Sequence, residues 1–190
     1  RGAILSAGPR VPHQGPVPQD LREITEGDLR GATAARRPQR ARTMLPPVSD
    51  RVAIEISNHV AVVRLVRGDK HNALDRAMFE GILAAAERLA AEPGVRAVVL
   101  GGEGPSFCSG LDIASLMAEP GGLDALLERE PGQDANLFQR VATEWGRVPV
   151  PVIAALHGAC FGGGMQIALG ADIRIAAPDA RLSIMEIRWG

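Results

Sequence analysis

His157-Gly158-Ala159-Cys160-Phe161-Gly162-Gly163-Gly164-Met165-Gln166-Ile167-Ala168-Leu169 is the stretch on which the reading of this chain turns. An apolar run of strand length, Val152 to Leu156, leads into it, and an apolar, helix-compatible segment leaves it. A strand that breaks on glycine and restarts as a helix leaves unpaired N–H groups at the helix start. Without Cβ atoms in the way, a ligand oxygen can reach those donors. Fixed donors at the positive end of a helix dipole suit an oxyanion. A lone glycine triplet is equally a tight packing corner, so the remaining stretches have to decide.

Upstream, the loop from Gly104 to Asp112 carries Phe107-Cys108-Ser109-Gly110-Leu111-Asp112 between a buried-type strand, Val95 to Leu100, and a short helix. Its N–H groups, those of Ser109 and Gly110, are expected to face the same crevice as that of Gly163, beyond the strand ends where open α/β sheets bind ligands. Two corners giving one N–H each to a single oxygen would stabilise an enolate or tetrahedral oxyanion, each donor being worth roughly 2.7–4 kcal/mol of barrier. Neither corner fits a phosphate-binding loop or a dinucleotide fingerprint.

Further out the order is regular. Val52, Ile54 and Ile56 alternate with more polar neighbours, Asn58-His59 makes a turn, and Val60 to Val66 returns as the second strand of a hairpin. Asp75 is the expected N-cap of a helix burying Met78, Phe79, Ile82, Leu83, Ala86 and Leu89. A second amphipathic helix is expected over Leu137 to Val148, stopped by Pro149 and Pro151; a short strand is expected at Asp172 to Ala176, and Leu182 to Ile187 follows it. Strands alternating with helices imply an α/β fold with βαβ crossovers. No internal repeat is visible. Residues 1–48 are rich in proline and arginine and lack apolar periodicity, so they read as a disordered or non-native leader ahead of a core at 49–190.

The 190 residues are 46% hydrophobic and 23% charged, as in globular domains. A net charge of −1 and 3% aromatic residues argue against nucleic acid as a partner, and no apolar run is long enough for a membrane span. Cys108 and Cys160 lack metal-ligand spacing and read as reduced core residues of a cytoplasmic protein, with no metal expected.

Together, His71-Asn72-Ala73-Leu74, Phe107 to Ile113, His157 to Ile173 and Leu182 to Gly190 resemble the enoyl-CoA hydratase/isomerase (crotonase) family over about Val52 to Gly190. The resemblance implies a crotonase-like spiral of ββα units whose C-terminal helical part is missing from this chain. It implies an acyl-CoA thioester as substrate, with coenzyme A part of that substrate and no prosthetic group. It implies a parent assembled as a homotrimer or hexamer. Its oxyanion donors fall on the N–H groups of Ser109 and Gly163. Its coenzyme A contacts fall on Lys70, Asn72, Ala73, Leu74, Gly110 and Asp112; Arg67 and Lys70 either meet the phosphates or stay a solvated pair. Asp112 reads first as a helix cap, His157 as a structural hydrogen-bonder and His71 as a surface residue. Of the two glutamates typical of the family's hydratases, one position holds Gln166 and the other Glu186. Glutamine cannot take a proton at neutral pH, so Glu186 is the expected base, desolvated between Met185 and Ile187, with Gln166 orienting water or substrate. One carboxylate suffices for double-bond isomerisation. The alternatives are hydration, dienoyl-CoA isomerisation and a non-catalytic acyl-CoA binder.

Overall fold

The computed structural model describes residues 43–44, 48–122, 124–129 and 131–188. The expected leader lies outside these residues except at Thr43–Met44 (β1) and Val48. β1 pairs antiparallel with Glu55 and Ile56, so the sheet starts upstream of the expected boundary at 49.

β2 (Val52–Ser57) and β3 (Val60–Leu65) form the expected hairpin, in register from Val52 opposite Leu65 to Ser57 opposite Val60. Both turn residues have positive φ, 50° at Asn58 and 65° at His59, which matches the twist of the two strands. Alternation buries Ala61, Val63 and Leu65. α1 (Arg76–Ala90) begins at Asp75, whose side chain accepts the Met78 N–H at 2.8 Å. Met78, Phe79, Ile82, Ala86 and Leu89 are buried as the spacing predicts, the four larger side chains contributing about 2 kcal/mol each, while Leu83 is only half-buried.

β4 spans Ala97–Gly102, two residues later than expected. The turn at Pro93-Gly94 runs through Arg96: the Val95 N–H bonds to Glu92 O and the Arg96 N–H to His59 O. Next come α2 (Ile113–Met117), capped by Asp112, α3 (Asp124–Leu127) and α4 (Leu137–Thr143). α4 carries a reciprocal cap between Asn136 and Gln139, and gives way to a 3-10 turn, Glu144–Arg147, short of the expected Val148. Phe138 on α4 meets Phe79 on α1 edge to face, 5.2 Å between ring centres.

β5 (Val152–Leu156) does not lead straight into the helix. A turn at His157-Gly158 comes first, then a short strand β6 (Ala159–Phe161), and only then α5 (Gly163–Leu169). β7 (Ile173–Ala176), β8 (Arg181–Ser183) and a 3-10 turn, Met185–Arg188, complete the order. The main sheet runs β1-β2-β3-β4-β5-β7, parallel from β3 onward, and β6 pairs in parallel with β8 in a second sheet. Cys108 joins that second sheet through a parallel bridge to Cys160. β4–Cys108–α2, β5–β6–α5 and β7–β8–3-10 turn are successive turns of one spiral, the repeat that the resemblance implies and that no periodicity in the sequence showed. Three-residue strands are too short for alternation to reveal them. Among the described residues no helix is long and apolar enough to cross a membrane.

Two polar clamps hold the loops between these turns. Asn72, fully buried with φ 54°, accepts the Arg67 N–H at 2.9 Å and donates to the carbonyls of Glu103, Ser106 and Phe107 at 2.9, 2.8 and 3.2 Å. Arg67 donates to Ala73 O at 2.9 Å and to Asp112 Oδ2 at 2.8 Å, and lies 3.5 Å from Asp75 Oδ2. The Ser115 hydroxyl and N–H, and then Arg67, hold the Asp112 carboxyl down from 3.8 to about 2.

Asn72→Ala leaves four backbone groups, those at Ser106 and Phe107 buried, without this partner and is expected to cost about 2–5 kcal/mol, read as a lowered urea midpoint. Asn72→Asp should be at least as damaging, since it turns a carboxylate toward three carbonyl oxygens. The lowered Asp112 pKa contributes stability that is fully present above 3.8 and is lost as pH falls through about 2. The stability gap between the native chain and Asp112→Asn, which keeps a capping oxygen, should therefore narrow between those values in denaturation curves taken across pH.

Candidate active site

Two bends carry the candidate backbone donors. The first is the start of α5, where Gly162 adopts φ 50° and ψ −121°, a conformation that excludes a side chain. The Gly162 N–H bonds to Ser183 O at 2.9 Å, and Gly163, first residue of the helix, has no intrahelical acceptor for its own N–H. A Cβ on Gly164 would come within 2.7 Å of Cys108 Cβ, so glycine there lets α5 lie directly against the neighbouring turn of the spiral.

The second bend corrects the sequence reading. The Ser109 N–H is donated to His71 O at 3.0 Å and is therefore already in use. Leu74 bridges to Leu111 instead: the Leu74 N–H bonds to Gly110 O at 2.8 Å and the Asp112 N–H to Leu74 O at 3.0 Å. In a trans peptide the C=O and N–H point opposite ways. With Gly110 O aimed at Leu74, the Leu111 N–H of the same peptide plane points away from Leu74, and it has no acceptor among the described residues. This bend lies beside the first. A Cβ on Gly110, where φ is 95°, would stand 3.0 Å from Phe161 O, and one on Gly163 would stand 2.8 Å from Leu74 Cδ1 and 3.9 Å from Leu111 Cδ2. Ser109 was expected from the motif and from its place between strand and helix, and neither says which amide is already bonded: Leu111, on the other side of Gly110, differs only in having no acceptor among the described residues.

Gln166 and Glu186 come together: Gln166 Nε2 donates to Glu186 Oε1 at 2.7 Å. Oε1 also lies 3.5 Å from where a Cβ on Gly162 would be, so the carboxylate sits at the head of α5. Glu186 is exposed in this structure, not desolvated between Met185 and Ile187 as its neighbours suggest. Met185 is half-buried and Ile187 is 79% exposed, because a 3-10 turn projects successive side chains in different directions.

The expected coenzyme A loop divides in two. Lys70 is exposed, on the 3-10 turn Gly68–Lys70. Ala73 is partly buried, with its carbonyl held by Arg67. Asn72 is not placed to bind a ligand, since both ends of its amide are taken by backbone, and Leu74 is fully buried against the glycine corner. Arg67 is likewise committed to Ala73 and Asp112, its side chain 11% exposed, and is not a free phosphate ligand. Gly110 acts through backbone packing, and Asp112 is the cap expected of it. His157 Nε2 meets Gly104 O at 3.0 Å, in the structural role foreseen; exposed His71 pairs through Nδ1 with Ser106 Oγ at 2.9 Å. Burial pushes the Cys108 thiol up to about 12 and the Cys160 thiol up to about 11, so neither is a nucleophile. A cleft of about 580 Å³ elsewhere, between α1 and residues 128–140, contains none of these groups.

The family model for enoyl-CoA hydratase/isomerase matches residues 55–190. The chain is 36% identical over 136 residues to the mitochondrial Delta(3,5)-Delta(2,4)-dienoyl-CoA isomerase of Mus musculus, covering 70% of this chain and 42% of that protein. It is 37% identical over 135 residues to the mevalonyl-coenzyme A hydratase of Beauveria bassiana, covering 70% of this chain and 48% of that one. A crystal structure of an enoyl-CoA hydratase/isomerase from Xanthobacter autotrophicus superposes with a TM-score of 0.62 at 32% identity, covering 70% of this chain and 48% of that one. The chain spans about half the length of the curated relatives it matches. With its spiral of paired strands and helices and with these matches, the chain belongs to the enoyl-CoA hydratase/isomerase family.

Proposed function

We propose that the whole protein holds an acyl-CoA thioester by its carbonyl oxygen and moves a carbon–carbon double bond, with Glu186 as the single acid/base group. The carrying observation is the 2.7 Å hydrogen bond from Gln166 Nε2 to Glu186 Oε1. It puts a neutral amide where a second carboxylate would have to work, and leaves Oε2 of Glu186 to act as base.

The chemistry follows from the groups available. Glu186 removes a proton from C2 of a 3-enoyl thioester, and the electron pair delocalises onto the thioester oxygen as a dienolate. The N–H groups of Leu111 and Gly163 are the donors that stabilise this charge, roughly 2.7–4 kcal/mol each. The carboxyl group then returns the same proton to C4, giving the 2-enoyl thioester. Hydration would instead need a second group able to exchange a proton with water, and an amide does not provide one. Lys70, exposed beside the loop, remains the cation proposed to meet the coenzyme A phosphates. A relative named as a hydratase supports water addition as the second reading.

Supplied with 3-enoyl-CoA and 2-enoyl-CoA in parallel, the full-length protein is expected to isomerise the first far faster than it hydrates the second. Comparable hydration would overturn the isomerase reading, and binding without turnover of either would leave an acyl-CoA binder. Glu186→Gln should lower isomerisation about 10²–10⁴-fold with little change in thioester affinity. Gln166→Glu, which supplies a second carboxylate 2.7 Å away, should make hydration of 2-enoyl-CoA measurable.

A further inference from the structure

We infer that Arg67 is a positioning residue for the thioester oxygen, fixing the direction of the Leu111 N–H from outside the site; the inference rests on the enolate-stabilising function proposed above. Arg67 is itself held in place. Its N–H is bound by Asn72 Oδ1 at 2.9 Å, and its carbonyl receives the N–H groups of Lys70 and Asn72 at 3.0 and 2.9 Å. From that fixed base the guanidinium reaches Ala73 O, Asp112 Oδ2 and the neighbourhood of Asp75 Oδ2.

Those three contacts flank one feature, the bridge between Leu74 and Leu111. Ala73 and Asp75 stand on either side of Leu74, and Asp112 follows Leu111. The bridge sets the Gly110–Leu111 peptide plane, because Gly110 O accepts from Leu74 while the opposite edge of that plane carries the Leu111 N–H. A planar cation that grips the residues adjoining both partners, Ala73 and Asp112, thus sets the angle at which this donor meets an oxygen. Its Nη1 and Nη2 fork matches a carbonyl and a carboxylate at once, and a lysine ammonium, a point charge on a flexible stem, cannot reproduce that.

The bland alternative is that Arg67 only neutralises two helix-capping carboxylates, in which case its loss lowers stability and nothing else. The test uses the full-length protein and a 3-oxoacyl-CoA, whose bound enolate is visible by ultraviolet absorbance. Arg67→Ala and Arg67→Lys are expected to lower the isomerisation kcat about 100-fold, as for a misdirected catalytic group, with KM little changed and the enolate band lost. Arg51→Ala is the control: Arg51 bonds Asp75 Oδ2 at 3.0 Å but touches neither Ala73 nor Asp112, and its removal should leave kcat and the band intact. Should Arg67→Ala fail to fold, Asp112→Asn, which retains a cap for Ser115, is expected to lower kcat in the same direction by a smaller factor. Full kcat and an enolate band in Arg67→Lys, or an equal loss in Arg51→Ala, would overturn the role of Arg67 alone. A wild-type protein that binds the probe without an enolate band and turns over no enoyl-CoA would overturn the enolate reading, and this inference with it.

Discussion

The hydrogen bond from the Leu74 N–H to Gly110 O, 2.8 Å long, orients one peptide plane in a way that no nearby side chain could. Because that plane is rigid, fixing its oxygen also fixes the N–H on its other edge. Three polar groups surround this bond. Asn72 ties the loop after β3 to the carbonyls of residues 103, 106 and 107, Arg67 joins the residues on both sides of the bridge, and the cap at Asp112 anchors α2 immediately beyond it.

The spiral explains why the two bends that carry the candidate donors lie side by side although they are about fifty residues apart in the chain. Each turn passes from the main sheet into a rung of the second sheet and then into a helix. Cys108 and Cys160 are the paired rungs of adjacent turns, and each lies three residues ahead of a candidate donor, Leu111 and Gly163. Bridging the rungs brings the bends that follow them side by side. Glycine is needed where those bends touch: at Gly164 against Cys108, and at Gly110 against Phe161. Both cysteines are fully buried where the two turns pack.

Much of the fold was legible locally. Alternation in Val52 to Val66, the Asn58-His59 turn, the caps at Asp75 and Asp112, and the apolar stripe of α1 are set by residues within one or two turns of each other. β6 and β8 were not legible, because strands of three residues carry too little pattern and exist through pairing with each other. β4 was displaced for a similar reason: the Arg96 N–H goes to His59, in the hairpin, rather than into the strand ladder. The burial expected of Glu186 failed because apolar neighbours in sequence are not neighbours in space on a 3-10 turn.

By itself the sequence determined the family, the α/β order of elements, and the presence of one glutamate and one glutamine where a carboxylate pair might have stood. Those are matters of residue identity and short-range spacing. Only the tertiary structure decided which amides are free. Whether an N–H is available depends on acceptors far along the chain: His71 takes the Ser109 N–H, while Leu74 takes Gly110 O and so turns the Leu111 N–H outward. Backbone donors have no residue identity to read, so their availability is a property of the folded chain alone.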